Sequence, residues 1–132
     1  MKEIKYINND VQLDAAVFIN LLSQIWPGNY YNDIELVQKG LSKTINITAW
    51  DDGELVGCLR ILTDGWVFGT IPEILVLPRM QRKGIGKKLM EIASDITPTG
   101  LFFGGQPQNE VFFDKLGCKK GMQSYVIPKR ME

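Results

Sequence analysis

Residues 73–90, EILVLPRMQRKGIGKKLM, constrain the fold of this chain more than any other segment. Four apolar residues lead into Pro78, and a basic loop with Gly84 and Gly86 follows before apolar residues recur every three or four positions. This order predicts a buried strand, a turn and an amphipathic helix. The first N–H groups of a helix have no partner within the helix, so its start can hold a phosphate or pyrophosphate.

The two glycines make this loop suited to an anion, because a ligand oxygen can approach a backbone that carries no side chain. Nearby cations add attraction: Arg82, Lys83 and Lys87. A nucleotide-binding P-loop does not fit, since it requires glycine at position 81 and Ser or Thr at position 88. A glycine pair at a helix start is also found in purely structural turns, and a cationic cluster in solvated helix starts. The segment alone leaves these interpretations open.

The composition is that of one soluble domain over residues 1–132. The chain has 132 residues, 45% of them hydrophobic, with 15 basic and 15 acidic side chains. This charge balance gives no support for nucleic acid or a membrane surface as a partner. No apolar run has the length of a membrane span, and the N-terminus lacks a leader pattern. We therefore expect a cytoplasmic protein.

The chain has no histidine and two cysteines, Cys58 and Cys118. The lack of histidine argues against a histidine-containing metal site and against a Ser–His or Cys–His nucleophilic pair. We therefore expect no metal and no covalent acyl-enzyme. Free thiols in a reducing compartment are the natural expectation, although a single disulfide stays open.

Hydrophobic periodicity predicts an α+β domain in which a mixed central sheet is flanked by about four helices, in the order βααβββαβαβ. Strands are predicted near residues 4–7, 44–50, 55–62, 66–77, 101–103 and 125–127, and helices near 11–25, 33–39, 84–96 and 109–116. Gly40 and Gly117 are the predicted helix ends. The sequence Asp51-Asp52-Gly53 predicts a hairpin turn, and Pro72 predicts a bulge or an edge position.

Two motifs resemble those of a known family. The sequence VLPRMQRKGIG at residues 76–86 fits the pattern V-x-P-x-x-Q/R-x-x-G-x-G/A of the GNAT superfamily of acyl-CoA-dependent N-acyltransferases. One short strand later, FFDKLGC at residues 112–118 resembles the family segment F-Y-E-K-L-G-F. The resemblance covers roughly residues 44–127. It implies the GNAT fold and transfer of an acetyl group from acetyl-CoA to a primary amine of a small-molecule acceptor.

The resemblance also implies which residues bind the cofactor. In the family, the strand before the loop separates from its neighbour and its backbone binds the pantetheine arm, which assigns this role to Leu75 and Val76. The loop surrounds the pyrophosphate; its residues here are Gln81, Arg82, Lys83, Gly84, Ile85, Gly86 and Lys87. Phe113 stands where many members have a tyrosine, and it is therefore expected near the CoA sulfur.

Catalytic residues follow from the same resemblance. The attacking amine must be neutral, so a base must take its proton, often through water. Glu73 stands close to where many GNAT enzymes carry an acid, and a solvent-facing strand carboxylate is the alternative interpretation. The family's tyrosine protonates the departing thiolate, which Phe113 cannot do. Tyr125 is a candidate substitute, and a packed strand tyrosine is the alternative there.

The acceptor is predicted to lie against aromatic side chains. The link between the first two helices often walls this site in GNAT folds, which points to Trp26, Tyr30 and Tyr31. Trp66 and Phe68 lie on the hairpin that faces this region, although core packing explains them equally well.

Two rival functions stay open beside direct transfer in a ternary complex. One is a non-catalytic acyl-CoA-binding module that acts as a sensor or interaction domain, which the absent tyrosine favours. The other is an anion-binding helix start on an unrelated α+β fold. Small GNAT proteins are commonly dimers, so a homodimer is also left open.

Overall fold

A five-stranded sheet lies at the centre of the fold, and α-helices pack against both of its faces. The computed structural model describes residues 3–28 and 32–129. Its strands are β1 Lys5–Ile7, β2 Ile45–Asp51, β3 Glu54–Thr63, β4 Gly69–Thr70 and β5 Ile74–Val76. Its α-helices are α1 Ala15–Ile25, α2 Ile34–Ser42, α3 Ile85–Ile96 and α4 Glu110–Lys115, with 3-10 turns at Pro78–Met80 and Pro107–Asn109. The predicted α+β class is confirmed, and none of the described helices is long and apolar enough to cross a membrane.

Strands β1, β2 and β3 are antiparallel neighbours, and β4 and β5 both pair with the remaining edge of β3. Thr70 lies opposite Leu62, whereas Ile74 lies opposite Leu59. The register therefore shifts by one residue between β4 and β5, which is the signature of a bulge. Pro72 lies within this bulge on an outer strand, as the sequence predicted.

Helix α3 covers one face of the sheet and α1 covers the other. A Cβ atom added to Gly57 of β3 would lie 3.1 Å from Ile85 Cγ2 and 3.3 Å from Leu89 Cδ1, so the absent side chain lets α3 approach closely. On the opposite face, the guanidinium of Arg60 lies 5.8 Å from the ring centroid of Phe18 in α1. Strand β3 is therefore buried on both faces.

Two helix boundaries differ from prediction for identifiable reasons. Helix α1 begins at Ala15 rather than near residue 11, because the Asp14 carboxylate caps it and accepts from the N–H groups of Ala16 and Val17 at 3.1 and 3.3 Å. Helix α2 continues through Gly40 to Ser42. Leu41 is only 3% exposed, so core burial favours another half-turn of helix past the glycine.

The hairpin turn is confirmed, but two predicted strands are wrong. Asp52 and Gly53 have φ angles of 50° and 82°, as a two-residue hairpin turn requires. The strand predicted at residues 101–103 is reduced to a single parallel bridge between Phe102 and Thr70. The strand predicted at residues 125–127 does not form, and Tyr125 is 87% exposed. Its apolar composition favours a strand only where a sheet edge accepts it, and none of the described strands pairs with it.

The strand predicted from residue 66 begins only at Gly69, because Asp64 closes a loop before it. The Asp64 carboxylate accepts hydrogen bonds from the N–H groups of Trp66, Val67 and Phe68 at 2.9, 2.9 and 3.0 Å. Trp66 is 85% exposed and Phe68 is 51% exposed. Core packing is therefore the wrong explanation for both rings.

Asp64→Asn is expected to make the free energy of unfolding less dependent on acid pH. Three backbone N–H bonds lower the pKa of Asp64 in the folded state. A carboxylate with a depressed folded pKa contributes stability that is complete above its unfolded pKa and disappears as pH falls through the folded pKa. Urea unfolding between about pH 5 and about pH 2 measures this. Asp95→Asn, at an exposed position of α3, is the control, and a wild-type acid profile for Asp64→Asn would contradict the account.

Candidate active site

Strand β5 presents an open backbone edge. Leu77 N–H donates to Val56 O at 2.9 Å, so residues 75 and 77 direct their backbone groups toward β3. Residues 74 and 76 then direct theirs to the other edge, where no described strand pairs with β5. Leu75 lies opposite Cys58 and is 1% exposed. Leu75 therefore directs its backbone groups to β3, which does not fit the contact predicted for it, whereas Ile74 and Val76 direct theirs to the open edge.

The chain segment that contains Phe102 pairs with β4 but does not continue along β5. Phe102 N–H donates to Gly69 O at 2.9 Å, and Ile71 N–H donates to Phe102 O at 3.1 Å. Beyond the bulge at Pro72, no bridge among the described residues joins this segment to β5. The outer edge of β5 is therefore left without a strand partner among the described residues, and we call this edge, together with the segment that follows Phe102, the cleft.

A tight loop brings the start of α3 to the Val76 end of this cleft. The Gln81 side-chain amide donates to Val76 O at 3.1 Å and ties the loop to the open edge. Arg82 and Gly84 both have left-handed backbones, with φ angles of 64° and 84°. For Arg82 this conformation costs about 1–2 kcal/mol. Strain of this kind is concentrated at functional loops, which points to ligand binding here.

Helix α3 starts without a side-chain cap, because its N-cap residue is Gly84. The first helical bond after this glycine runs from Lys88 N–H to Gly84 O at 3.0 Å. The N–H groups of Ile85, Gly86 and Lys87 therefore have no acceptor within the helix. Together with the positive end of the helix dipole, they form an anion-binding position.

Exposed cations surround this position. Arg79, which precedes the loop, forms an ion pair with Glu54 and is therefore not one of the available cations. Arg82, Lys83 and Lys87 are exposed, and none of them forms an ion pair with another residue in the described ranges 3–28 and 32–129. Their charges are therefore available to a polyanion at the start of α3.

Gly86 is in close contact with an aromatic ring that sequence reasoning missed. A Cβ atom at Gly86 would lie 3.3 Å from Phe112 Cζ and 3.9 Å from Val76 Cγ2. Phe112 thus covers the junction of loop and strand, although only its neighbour was predicted to contact cofactor. The signal available in the sequence was the Phe112-Phe113 pair itself, in which either ring could face the loop.

The Phe113 ring contacts the edge of Phe112, with centroids 5.2 Å apart, but its other contacts differ. Its ring centroid lies 5.0 Å from that of Phe103, and a Cβ atom on Gly105 would lie 3.0 Å from its Cε2 atom. With Glu110 and Cys118, it lines an open cavity of about 310 Å³. Phe113 therefore lies beside the segment that follows Phe102, whereas Phe112 lies against the loop.

Glu73 lies immediately before β5 and is paired. Its Oε2 atom accepts a hydrogen bond from Arg60 Nε at 2.9 Å, and the two side chains are 10% and 19% exposed. The solvent-facing alternative is therefore wrong for Glu73. Its other oxygen, Oε1, has no hydrogen-bond partner among the described residues. Sequence reasoning missed Arg60, although a lone charge inside the apolar run of β3 was a usable signal.

Other polar side chains on the face of the sheet that carries Arg60 and Glu73 already have hydrogen-bond partners. Thr48 donates to Asp10 Oδ2 at 3.0 Å, and Trp50 Nε1–H donates to Thr48 Oγ1 at 2.9 Å.

Burial, and then the neighbouring Glu73 carboxylate, raise the pKa of the Cys58 thiol. A thiol held protonated is a poor nucleophile. Both cysteines are free, as predicted, and no group of three or more potential metal-ligating side chains occurs in the described part of the chain.

The aromatic residues predicted for the acceptor pocket are only partly brought together. Phe68 stacks on Phe102 with ring centroids 5.8 Å apart, which places it beside the Thr70–Phe102 bridge. Trp66 extends from the same loop, and Trp26, at the end of α1, is 50% exposed. Tyr30 and Tyr31 lie outside the described residues.

Tyr125, the predicted substitute acid, lies in the irregular segment after α4. At 87% exposure it is not packed in a strand, so that alternative is wrong. No hydrogen bond or ring contact ties it to the described cleft residues. Its catalytic role stays a prediction.

Solved structures share this architecture. A putative GNAT-family acetyltransferase from Xanthomonas campestris pv. campestris has a TM-score of 0.76 and 19% identity, and the match covers 96% of this chain and 95% of that one. A GNAT-family protein from Streptococcus pneumoniae TIGR4 has a TM-score of 0.76 and 22% identity, covering 99% and 100%. An aminoglycoside N-acetyltransferase in complex with CoA has a TM-score of 0.68 and 17% identity, covering 98% and 95%. At these identities the structures show the fold alone.

The family is shown by a comparison of sequence with family models. No curated protein matches the chain. The model described as "Acetyltransferase (GNAT) family" matches residues 16–103, which is more than half of the chain and includes the cleft strand and the glycine loop. The chain therefore belongs to the GNAT acetyltransferase family.

Proposed function

We propose that this protein transfers an acetyl group from acetyl-CoA to a primary amine of a small-molecule acceptor, by direct attack in a ternary complex. The observation that carries this proposal is the continuity of the open β5 edge with the uncapped start of α3. Acetyl-CoA has an amide-bearing arm that ends in a pyrophosphate. It requires a strand-like edge followed by an anion site, in that order.

The residues of the helix start fit the pyrophosphate. The N–H groups of Ile85, Gly86 and Lys87 are free of helical acceptors, and Arg82 and Lys83 supply charge from the preceding loop. Because Gly84 has no side chain, nothing competes with a ligand for these N–H groups.

The residues of the cleft fit the pantetheine arm. Val76 directs its N–H to the open edge, while its carbonyl already accepts from Gln81. The Phe112 ring offers an apolar surface between this edge and the helix start. When bound, acetyl-CoA supplies an activated thioester; the protein holds and orients it.

Glu73 is proposed as the base that takes the proton from the attacking amine, directly or through water. It lies two residues beyond Ile71, where the cleft begins, and its Oε1 atom is free to accept. Trp26, Trp66 and Phe68 are proposed to contact the body of the acceptor. An amine on an apolar or aromatic framework suits these rings.

One observation favours a second candidate, a module that binds acyl-CoA without turnover. Phe113 has no hydroxyl group, and it packs on Phe103 rather than presenting a proton donor. A CoA thiolate can also leave with protonation by water. The two candidates share the binding site and differ only in amine-dependent turnover.

Acetyl-CoA is expected to raise the melting temperature of the protein. A ligand that binds only the folded state stabilises it by about 2.7 kcal/mol at 100 times its Kd. For a domain of this size, the shift is on the order of 10 °C. Pantetheine, which lacks the pyrophosphate, is the control and should give a much smaller shift. No shift at millimolar acetyl-CoA would contradict the proposed function.

A further inference from the structure

We propose that Arg60 is a positioning residue for Glu73, the proposed base. It holds one oxygen of the Glu73 carboxylate, so that the other oxygen can accept the proton of the acceptor amine. The inference rests on the proposed function, in which Glu73 is that base. It adds a residue of β3 that neither the motifs nor the family match assigns.

Arg60 binds both the backbone and the side chain of Glu73. Its N–H donates to Glu73 O at 3.2 Å, and its Nε donates to Glu73 Oε2 at 2.9 Å. Its guanidinium also lies 5.8 Å from the ring centroid of Phe18, which is itself 4% exposed. The position of the carboxylate is therefore fixed from the rigid centre of the sheet and from α1.

Glu73 needs such support because of where it lies in the sheet. It follows Pro72 in the bulge between β4 and β5, where the ladder with β3 changes register. The bulge is also where the segment containing Phe102 leaves the sheet edge and the cleft begins. Glu73 therefore lies where the cleft begins. A ladder bond from Arg60 N–H fixes its backbone, and the Arg60 guanidinium fixes its carboxylate.

Among the carboxylates on this face of the sheet, Glu73 is the one that pairs with Arg60. Asp10, the other buried carboxylate on this face, accepts from Thr48 and from Gln12 N–H. A planar guanidinium holds a carboxylate in a defined orientation, whereas an ammonium acts as a point charge. With side-chain exposures of 19% and 10%, the pair is poorly screened by solvent.

The alternative is a purely structural ion pair that closes the bulge. A double-mutant cycle distinguishes the two, because a residue that acts through Glu73 has little effect on turnover once Glu73 no longer serves as a base. The variants are Arg60→Gln and Arg60→Lys, each made in the wild-type and the Glu73→Gln background. The measurements are kcat, the KM for acetyl-CoA and the melting temperature.

We expect Arg60→Gln to lower kcat by about 10- to 100-fold, since misplacing a catalytic group by about 1 Å can cost about 100-fold. The KM for acetyl-CoA should stay within about twofold, because the cofactor loop is separate. Arg60→Lys keeps the charge but not the planar geometry, and should lose about three- to tenfold in kcat. In the Glu73→Gln background, both substitutions should change kcat by less than about threefold.

Arg79→Lys is the matched control, since Arg79 forms an exposed ion pair with Glu54 outside the cleft. It should leave kcat unchanged. If Arg60→Gln is too unstable to assay, Arg60→Lys completes the same cycle. If an Arg60 substitution lowers kcat by the same factor in the Glu73→Gln background as in the wild type, the inference is overturned. It is also overturned if Arg60→Lys lowers the melting temperature but leaves kcat unchanged. If the wild-type protein binds acetyl-CoA but acetylates no amine, the proposed function is wrong, and the inference that rests on it is wrong as well.

Discussion

Gly84→Asp is expected to abolish acetyl-CoA binding while the protein remains folded. A Cβ atom at Gly84 meets no other atom within 4 Å. The φ angle of 84° strains any side chain there, but Asp tolerates this left-handed region better than most residues. Its carboxylate would accept from the free N–H groups of α3 and would repel the pyrophosphate. Two unit charges 4 Å apart repel by about 4 kcal/mol at an effective dielectric constant of 20. That corresponds to a loss in affinity on the order of 1,000-fold.

Gly84→Asn separates the effect of charge from that of shape. Asn has nearly the same size and tolerates the left-handed backbone at this position better than most residues. It should lose far less affinity than Asp in isothermal titration with acetyl-CoA, with both variants folded by circular dichroism. An Asp variant that binds acetyl-CoA as tightly as wild type would show that the loop is a structural turn only.

Glu73→Gln is expected to lower kcat by about 100- to 10,000-fold, the usual contribution of a general base. Gln keeps the size of Glu and an oxygen that can accept from Arg60 Nε, so the fold should be retained. Acetyl-CoA affinity should be unchanged, because the proposed pyrophosphate site at residues 81–87 forms no hydrogen bond with this carboxylate. The loss should be most visible below the pKa of the acceptor amine, where the base has a proton to remove.

Glu54→Gln is the matched control for this experiment. Glu54 is also a carboxylate paired with an arginine, but it is exposed and lies at the start of β3, away from the bulge. Its turnover at saturating acetyl-CoA should equal that of wild type. A loss of less than about threefold for Glu73→Gln would exclude Glu73 from the mechanism.

The central segment could be predicted from sequence because its signals are local. Apolar periodicity predicted α3, and the spacing of Gly84 and Gly86 predicted the loop that precedes it. Pro72 predicted the bulge, since proline cannot donate to a ladder. In each case the outcome depends on residues that are close together in the sequence.

Where the prediction was wrong, a competing local contact or a missing partner decided the outcome. Asp64 diverts residues 64–68 into a hydrogen-bonded loop, although the residues that follow have strand composition. Residues 125–127 are apolar enough for a strand, but none of the described strands pairs with them. Composition reports the tendency to form a strand and not the availability of an edge.

The least predictable features were those that depend on pairing between distant residues. Arg60 and Glu73 meet only because β5 returns along β3 with a shifted register. Phe112 contacts Gly86 only because α4 packs beside the start of α3. Neither contact corresponds to a fixed spacing in the sequence. The single charge of Arg60 within an apolar strand did indicate that it needs a partner, but not which one.

Amine-dependent release of free CoA thiol from acetyl-CoA would show whether this protein catalyses acetyl transfer. The protein is mixed with acetyl-CoA and a panel of primary amines on apolar, aromatic, sugar and peptide frameworks, and the thiol is followed colorimetrically. We expect thiol release that depends on one class of amine, with a matching acetylated product by mass spectrometry and loss of the signal in Glu73→Gln. Saturable acetyl-CoA binding without amine-dependent release from any member of the panel would contradict this expectation and would identify a binding module instead.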